Sequence, residues 1–115
     1  MKDLERAYCN IGLALKAGKL VLGAHACEEF IKNGKAILVI VADDASSNTK
    51  KKFNDMCEFY NTEIRFFGDK ETLGRYLGKE NKTIAAVTDL NLSKLIACTI
   101  DSIENLTGVK DIEKN

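Results

Sequence analysis

The chain has 115 residues, 45% of them hydrophobic, and 17 basic residues balance 17 acidic ones to a formal net charge of zero. That is long enough for one domain with its own core, too apolar for a disordered chain, and too neutral for whole-molecule charge to draw it to nucleic acid. No apolar run nears the roughly 20 residues that cross a bilayer. The charged start (Lys2, Asp3, Glu5, Arg6) lacks the apolar region of a signal peptide, so a cytoplasmic location is expected.

Residues 3–17 read as a helix. Asp3 suits the N-cap, and Leu4, Ala7, Tyr8, Ile11 and Leu15 recur at helical spacing before Gly18 ends the run. Residues 19–22 are short and extended. Gly23 then opens a second helix to about Asn33, with Cys27, Phe30 and Ile31 inward and Asn33-Gly34 as its stop. Residues 36–42 form an unbroken, β-branched apolar run. A half-buried strand alternates apolar with polar, so this run predicts a central strand covered on both faces. It ends in Asp43-Asp44 and a polar cluster, in which Asp44, Ser46 or Ser47 can cap a following helix through a side-chain oxygen.

That third helix spans residues 47–60, with Phe53, Met56, Cys57 and Tyr60 as its apolar stripe and Lys50-Lys51-Lys52 in its first turns. Cations there oppose the helix dipole; they serve either a solvated face or a surface that meets a polyanion. Residues 63–67 are a strand, and Asp69 caps a short helix carrying Leu73, Tyr76 and Leu77. Residues 78–82 are a polar loop with two lysines, and 83–87 a further apolar strand. A last helix shows Leu92, Leu95, Ile96, Thr99, Ile100 and Ile103 at helical spacing, stopped at Thr107-Gly108. Residues 107–115 are expected to fray as a tail of the single 1–115 domain. Alternation of strands with helices predicts a largely parallel sheet between two helix layers, with right-handed crossovers.

Candidate chemistry is sparse. Gly12…Gly18-Lys19 has five residues between its glycines and Leu20 after its lysine, so it is not a phosphate loop. Cysteines 9, 27, 57 and 98 form no Cys-x-x-Cys and meet one His in the chain, so they are expected to be reduced and buried in the core, without metal. His25 and Cys27 are two apart on a helix and point away from each other, which rules out a nucleophile–base pair. Asp43-Asp44 with Asp89 is the outline of a magnesium phosphoacceptor site, but no lysine stands at the end of a further strand. Charge does cluster, however. Residues 1–35 hold six Lys or Arg against four acids, whereas residues 89–115 hold five acids against three lysines. The helix start Gly23-Ala24-His25 offers free N–H groups to a phosphate, and Lys16, Lys19, Lys32, Lys50 and Lys82 surround it if the element ends converge.

Gly12-Leu13-Ala14, Ala17-Gly18-Lys19, Gly23, Ala42-Asp43-Asp44-Ala45, Leu73-Gly74-Arg75 and Gly78 occur in an order that resembles the kink-turn-binding ribosomal-protein superfamily. The closest resemblance is to its small bacterial YlxQ-type group, over roughly residues 5–100. The resemblance implies a three-layer α/β/α sandwich around a four-stranded mixed sheet. It also implies a structured-RNA partner, a kink-turn within a ribosome or other ribonucleoprotein, and neither enzyme activity nor cofactor.

It further implies RNA contacts from three places. At the start of the second helix the family reads Gly-Thr-Asn-Glu followed by a Lys, whose Asn and Glu meet guanines of sheared pairs. Here Gly23 matches, Ala24 follows, and His25 stands at the Asn position. Ala26 lacks the carboxylate, Glu29 puts an acid where the family has Lys, and Lys32 lies further along. The second place is the loop after the central strand, here Ser46 and Lys50. The third is the loop of residues 78–83, here Lys79, Asn81 and Lys82, with Lys70 at the start of the preceding helix. Two alternatives stand beside this reading: a protein-interaction domain on the same fold with a lapsed RNA site, and the phosphoacceptor domain.

Overall fold

The computed structural model describes residues 2–79 and 82–107, and the side chains of 4–79 and 82–103 among them. Helices and strands alternate as α1 (Lys2–Lys16), β1 (Leu20–Leu22), α2 (Ala24–Lys32), β2 (Leu38–Val41), α3 (Ser47–Tyr60), β3 (Glu63–Phe66), α4 (Lys70–Leu77), β4 (Ile84–Val87) and α5 (Leu90–Thr107). The elements stand where the apolar periods put them, and the caps explain their starts. Ser46 Oγ accepts from Thr49 N, and Asp69 accepts from Thr72 N, each satisfying a first-turn donor. Of the three cap candidates after β2, Ser46 serves. Asp44 instead accepts the backbone N–H of Lys70 at 3.1 Å, tying the start of α4 to the end of β2.

The sheet order is β1-β4-β2-β3. Of its three pairings, only β2–β3 is parallel; β4 runs antiparallel to both β1 and β2. The mixed sheet of the α/β/α sandwich is therefore present, and the largely parallel sheet expected from simple alternation is not. Strand–helix alternation does not fix direction: β4 returns from α4 into the gap between β1 and β2.

β2 is buried along its whole length, as its unbroken apolar run requires. One face of the sheet carries Leu38, Ile40, Ala85 and Val87 into a core with α1, α4 and α5. The other carries Val39, Val41, Ile84 and Ala86 into a core with Cys27 and Ile31 of α2 and Phe53 and Cys57 of α3. Leu4, Tyr60, Tyr76 and Leu95 fit the helical stripes by spacing but are exposed, since each stripe runs past the sheet it covers. Tyr76 stacks on Tyr8, with ring centroids 5.1 Å apart.

Two of the four cysteines depart from expectation. Cys27 and Cys57 are buried, whereas Cys9 and Cys98 are exposed. Cys9 follows the buried Tyr8 and Cys98 precedes the buried Thr99, and one residue of helix turns a side chain by about 100°. All four are free thiols.

Candidate nucleic-acid interface

The register brings several chain segments to one end of the sheet. β1, β2 and β3 finish there and β4 begins there. α2, α3 and α4 consequently all start at that end, beside the loop from α4 to β4. Backbone hydrogen bonds lock it: Gly23 N to Ile84 O at 2.9 Å, Ala42 N to Thr83 O at 2.8 Å, and Asp43 N to Gly68 O at 2.7 Å.

Gly23 is the hinge between β1 and α2. Its φ of 95° and ψ of 153° lie where L side chains are strained, so glycine is required. Its carbonyl accepts Cys27 N at 3.0 Å. No side chain caps α2, so the donors of its first turn face outward with the positive end of the helix dipole. A methyl group built on Gly23 would come 3.6 Å from the Lys82 ammonium nitrogen. Gly23 and Lys82, each expected at the interface and 59 positions apart in the chain, thus meet in one local site.

Ala24 and His25 are exposed on the first turn of α2. The His25 imidazole is 91% exposed, with Nε2 3.6 Å from Glu29 Oε2 one turn on. At the start of α3, the Ser46 hydroxyl accepts Thr49 N at 3.1 Å and meets Thr49 Oγ1 at 2.9 Å, so its role is to set the helix start. Lys50 N bonds the Ser46 carbonyl. The basic triplet is divided by its pairings. Lys51 binds Asp55 and Lys52 binds Glu28, while Lys50 makes no ion pair among the described residues. Lys70 and Lys79 are exposed at the start of α4 and just after it. Asn81 lies outside the described residues.

Three lysines expected here lie elsewhere. Lys32 occupies the last turn of α2, eight residues or roughly 12 Å of helix from Ala24. It pairs there with Glu28 at 3.1 Å. Glu28 bridges α2 to Lys52 of α3 as well, and Lys32 above all, then Lys52, holds its carboxyl below the usual range. No spacing rule shows this bridge, because it joins two helices. Lys16 ends α1, and the carbonyl of Lys19 accepts Thr88 N at the opposite end of the sheet.

The same geometry tests the chemical alternatives. Burial pushes the Cys27 thiol up to about 12, with the neighbouring Cys57 adding to it, and Cys57 up to about 11. Cys27 Sγ lies 3.5 Å from the Val21 carbonyl, a donor contact. Neither thiol forms a thiolate near neutral pH. Iodoacetamide at pH 8 is therefore expected to label Cys9 and Cys98 of the folded protein much faster than Cys27 and Cys57, as read by peptide mass spectrometry; equal rates would contradict this burial. Asp89 follows β4 at the far end of the sheet from Asp43-Asp44, beyond the length of β2, roughly 15 Å away. There it accepts Leu92 N at 2.9 Å and starts α5. The three acids of a phosphoacceptor centre are not brought together. Among the described residues no group of three or more His, Cys, Asp and Glu is placed to hold a metal.

The site thus combines an uncapped helix start, a lysine beside the hinge glycine and, among the described residues, exposed or unpaired lysines in the first turns of α3 and α4 and just after α4. Known proteins resemble the chain along most of its length. The family described as Ribosomal protein L7Ae/L30e/S12e/Gadd45 matches residues 5–97. The RNA-binding protein YlxQ of Bacillus subtilis (strain 168) is 37% identical over 91 residues, 79% of this chain and 91% of that protein. The RNA-binding protein YlxQ of Enterococcus faecium is 37% identical over 83 residues, 72% of this chain and 81% of its own. Among solved structures, a protein with unknown function from Bacillus halodurans C superposes with a TM-score of 0.80 at 34% identity, covering 83% of this chain and 96% of that one. The Giardia lamblia 15.5kD RNA binding protein superposes with a TM-score of 0.74, covering 92% and 91%; at 22% identity it speaks for the fold alone. By its matched length and these relatives, the chain belongs to the Ribosomal protein L7Ae/L30e/S12e/Gadd45 family.

Proposed function

We propose that this protein is a non-catalytic, cytoplasmic, ribosome-associated binder of structured RNA of the kink-turn type, which it engages with the sheet end where α2, α3 and α4 begin. The observation that carries the reading is the uncapped start of α2 at Gly23 with the Lys82 ammonium beside it. That pairing suits a phosphate brought close to backbone N–H groups. The family membership and the two RNA-binding relatives support an RNA partner. Lys50, Lys70 and Lys79 then supply counter-charge to the backbone on either side, local charge that a neutral chain must concentrate to bind a polyanion.

The test is a titration against a kink-turn RNA and against the same RNA without its G·A pairs, at several salt concentrations. The wild-type protein is expected to prefer the intact kink-turn. Lys50→Glu should weaken binding to both RNAs and lower the slope of log affinity against log salt by about one, the signature of a lost phosphate contact. An unchanged affinity and slope would remove Lys50 from the interface. Absence of a salt-dependent complex with either RNA would instead assign the surface to a protein partner.

A further inference from the structure

Two acids, Asp43 and Asp44, stand exposed just past β2, at the sheet end that carries the lysines. On charge alone they oppose a polyanion there. Their hydrogen bonds show a different use.

The turn from β3 into α4 is held from three directions. Gly68 O accepts Asp43 N at 2.7 Å. The Tyr8 hydroxyl, from α1, accepts Asp69 N at 3.2 Å. The Asp44 carboxylate accepts Lys70 N, with its two oxygens at 3.1 and 3.3 Å. The turn is also tightly enclosed. Gly68 has a φ of 78°, and a methyl group built on it would come 2.6 Å from the Tyr8 hydroxyl oxygen. Of the three anchors, Asp44 is the one that reaches the first residue of the helix itself.

What α4 carries gives these anchors their consequence. Lys70 is its first residue and is exposed. Lys79 follows its end, with its N–H bonded to Gly74 O at 3.1 Å, so the base of the next loop turns with the helix. With eight residues α4 is only about 12 Å long, and the loop after it returns Lys82 to the Gly23 hinge. A shift of the α4 start therefore moves Lys70 and Lys79 relative to the α2 start.

We propose that Asp44, together with the Tyr8 hydroxyl, is a positioning residue for RNA binding. It fixes the α4 start so that Lys70 and the α4–β4 loop stand ready around the α2 start, and it acts through them rather than by touching RNA. The inference rests on the RNA reading of this surface. Its physical basis is preorganisation: if only a fraction of molecules holds the binding geometry, apparent affinity falls by that fraction.

The experiment compares Asp44→Ala and Asp44→Asn with the wild type against one kink-turn RNA, in one salt, at a temperature where circular dichroism shows all three folded. Both variants remove the same negative charge, which by itself favours RNA. Only asparagine keeps an oxygen able to accept Lys70 N. Asp44→Asn is expected to bind at least as tightly as the wild type, and Asp44→Ala about fivefold more weakly than Asp44→Asn, the equivalent of one ordinary hydrogen bond. In the free proteins, exchange of the Lys70 amide hydrogen should be faster in Asp44→Ala than in the other two. Tyr8→Phe removes the second anchor without changing charge and should bind more weakly than the wild type; it decides the matter if Asp44→Ala does not fold. Equal affinities of Asp44→Ala and Asp44→Asn overturn the proposal and leave the RNA reading intact, as does unaltered Lys70 exchange in Asp44→Ala. Absence of any salt-dependent complex with the wild type overturns the RNA reading, and the proposal with it.

Discussion

Phe53→Ala is expected to destabilise the protein by about 3–5 kcal/mol, the usual loss for a fully buried aromatic truncated to alanine. Phe53 is 1% exposed and packs in the core shared by α2, α3 and one face of the sheet. Removing its ring strips contact from Val39 and Val41 below and from the α2 residues beside it, and the surrounding backbone cannot collapse fully into the space. For a single domain of typical stability, about 5–15 kcal/mol, that is a large fraction. Urea unfolding should show a lower midpoint with an unchanged slope. Phe59, on the same helix, is 79% exposed and meets the neighbouring Tyr60 ring edge-on at 4.9 Å. Phe59→Ala should therefore move the midpoint little. A loss below about 1.5 kcal/mol for Phe53→Ala, or equal losses at both positions, would show that this core does not hold α3 as described.

What could be read from the sequence was local. The unbroken run of residues 36–42 contains β2, and its burial on both faces follows from having no polar residue to expose. Ser46 and Asp69 were legible as cap candidates because a cap oxygen and the N–H that donates to it lie within three residues. What could not be read required distance or rotation. Strand direction escaped the alternation argument, since β1 and β2 both choose β4 as neighbour through packing. Asp44 looked like a cap for the next helix, but its partner, Lys70 N, is 26 residues away. Lys32 shares a helix with Gly23's neighbours, yet helical rise carries it to the other end of α2. Cys9 and Cys98 lie one residue from buried positions, and the helical turn puts them outside. At the site, Gly23 and Lys82 were visible as types but not as neighbours. Their contact exists because β4 pairs antiparallel with β1 and returns the α4–β4 loop to the α2 start.

The double change Ala26→Glu with Glu29→Lys is expected to raise kink-turn affinity tenfold or more. The resemblance described above places a carboxylate at position 26 against a guanine edge, and a lysine at 29 in its support. The fold permits both. Ala26 is the third residue of α2, where an acid suits the positive end of the helix dipole, so the helix should not be weakened. Glu29 is exposed, and its one described ion-pair contact is the 3.6 Å approach to the exposed His25. Its replacement therefore disturbs little of the core. A good bidentate base contact discriminates by roughly 1–3 kcal/mol, and about 1.4 kcal/mol is a decade of affinity. Charge reversal at 29 adds attraction for any phosphate nearby, so the two effects must be separated. Affinities for the kink-turn and for its G·A-deleted control, measured in the same salt, do this. A gain confined to the intact kink-turn places base reading at position 26. Equal gains on both RNAs mean that charge alone acted, and the base-reading contact is then not at this helix start. If neither affinity rises, the α2 start does not meet this RNA, and a protein partner becomes the better reading of the surface.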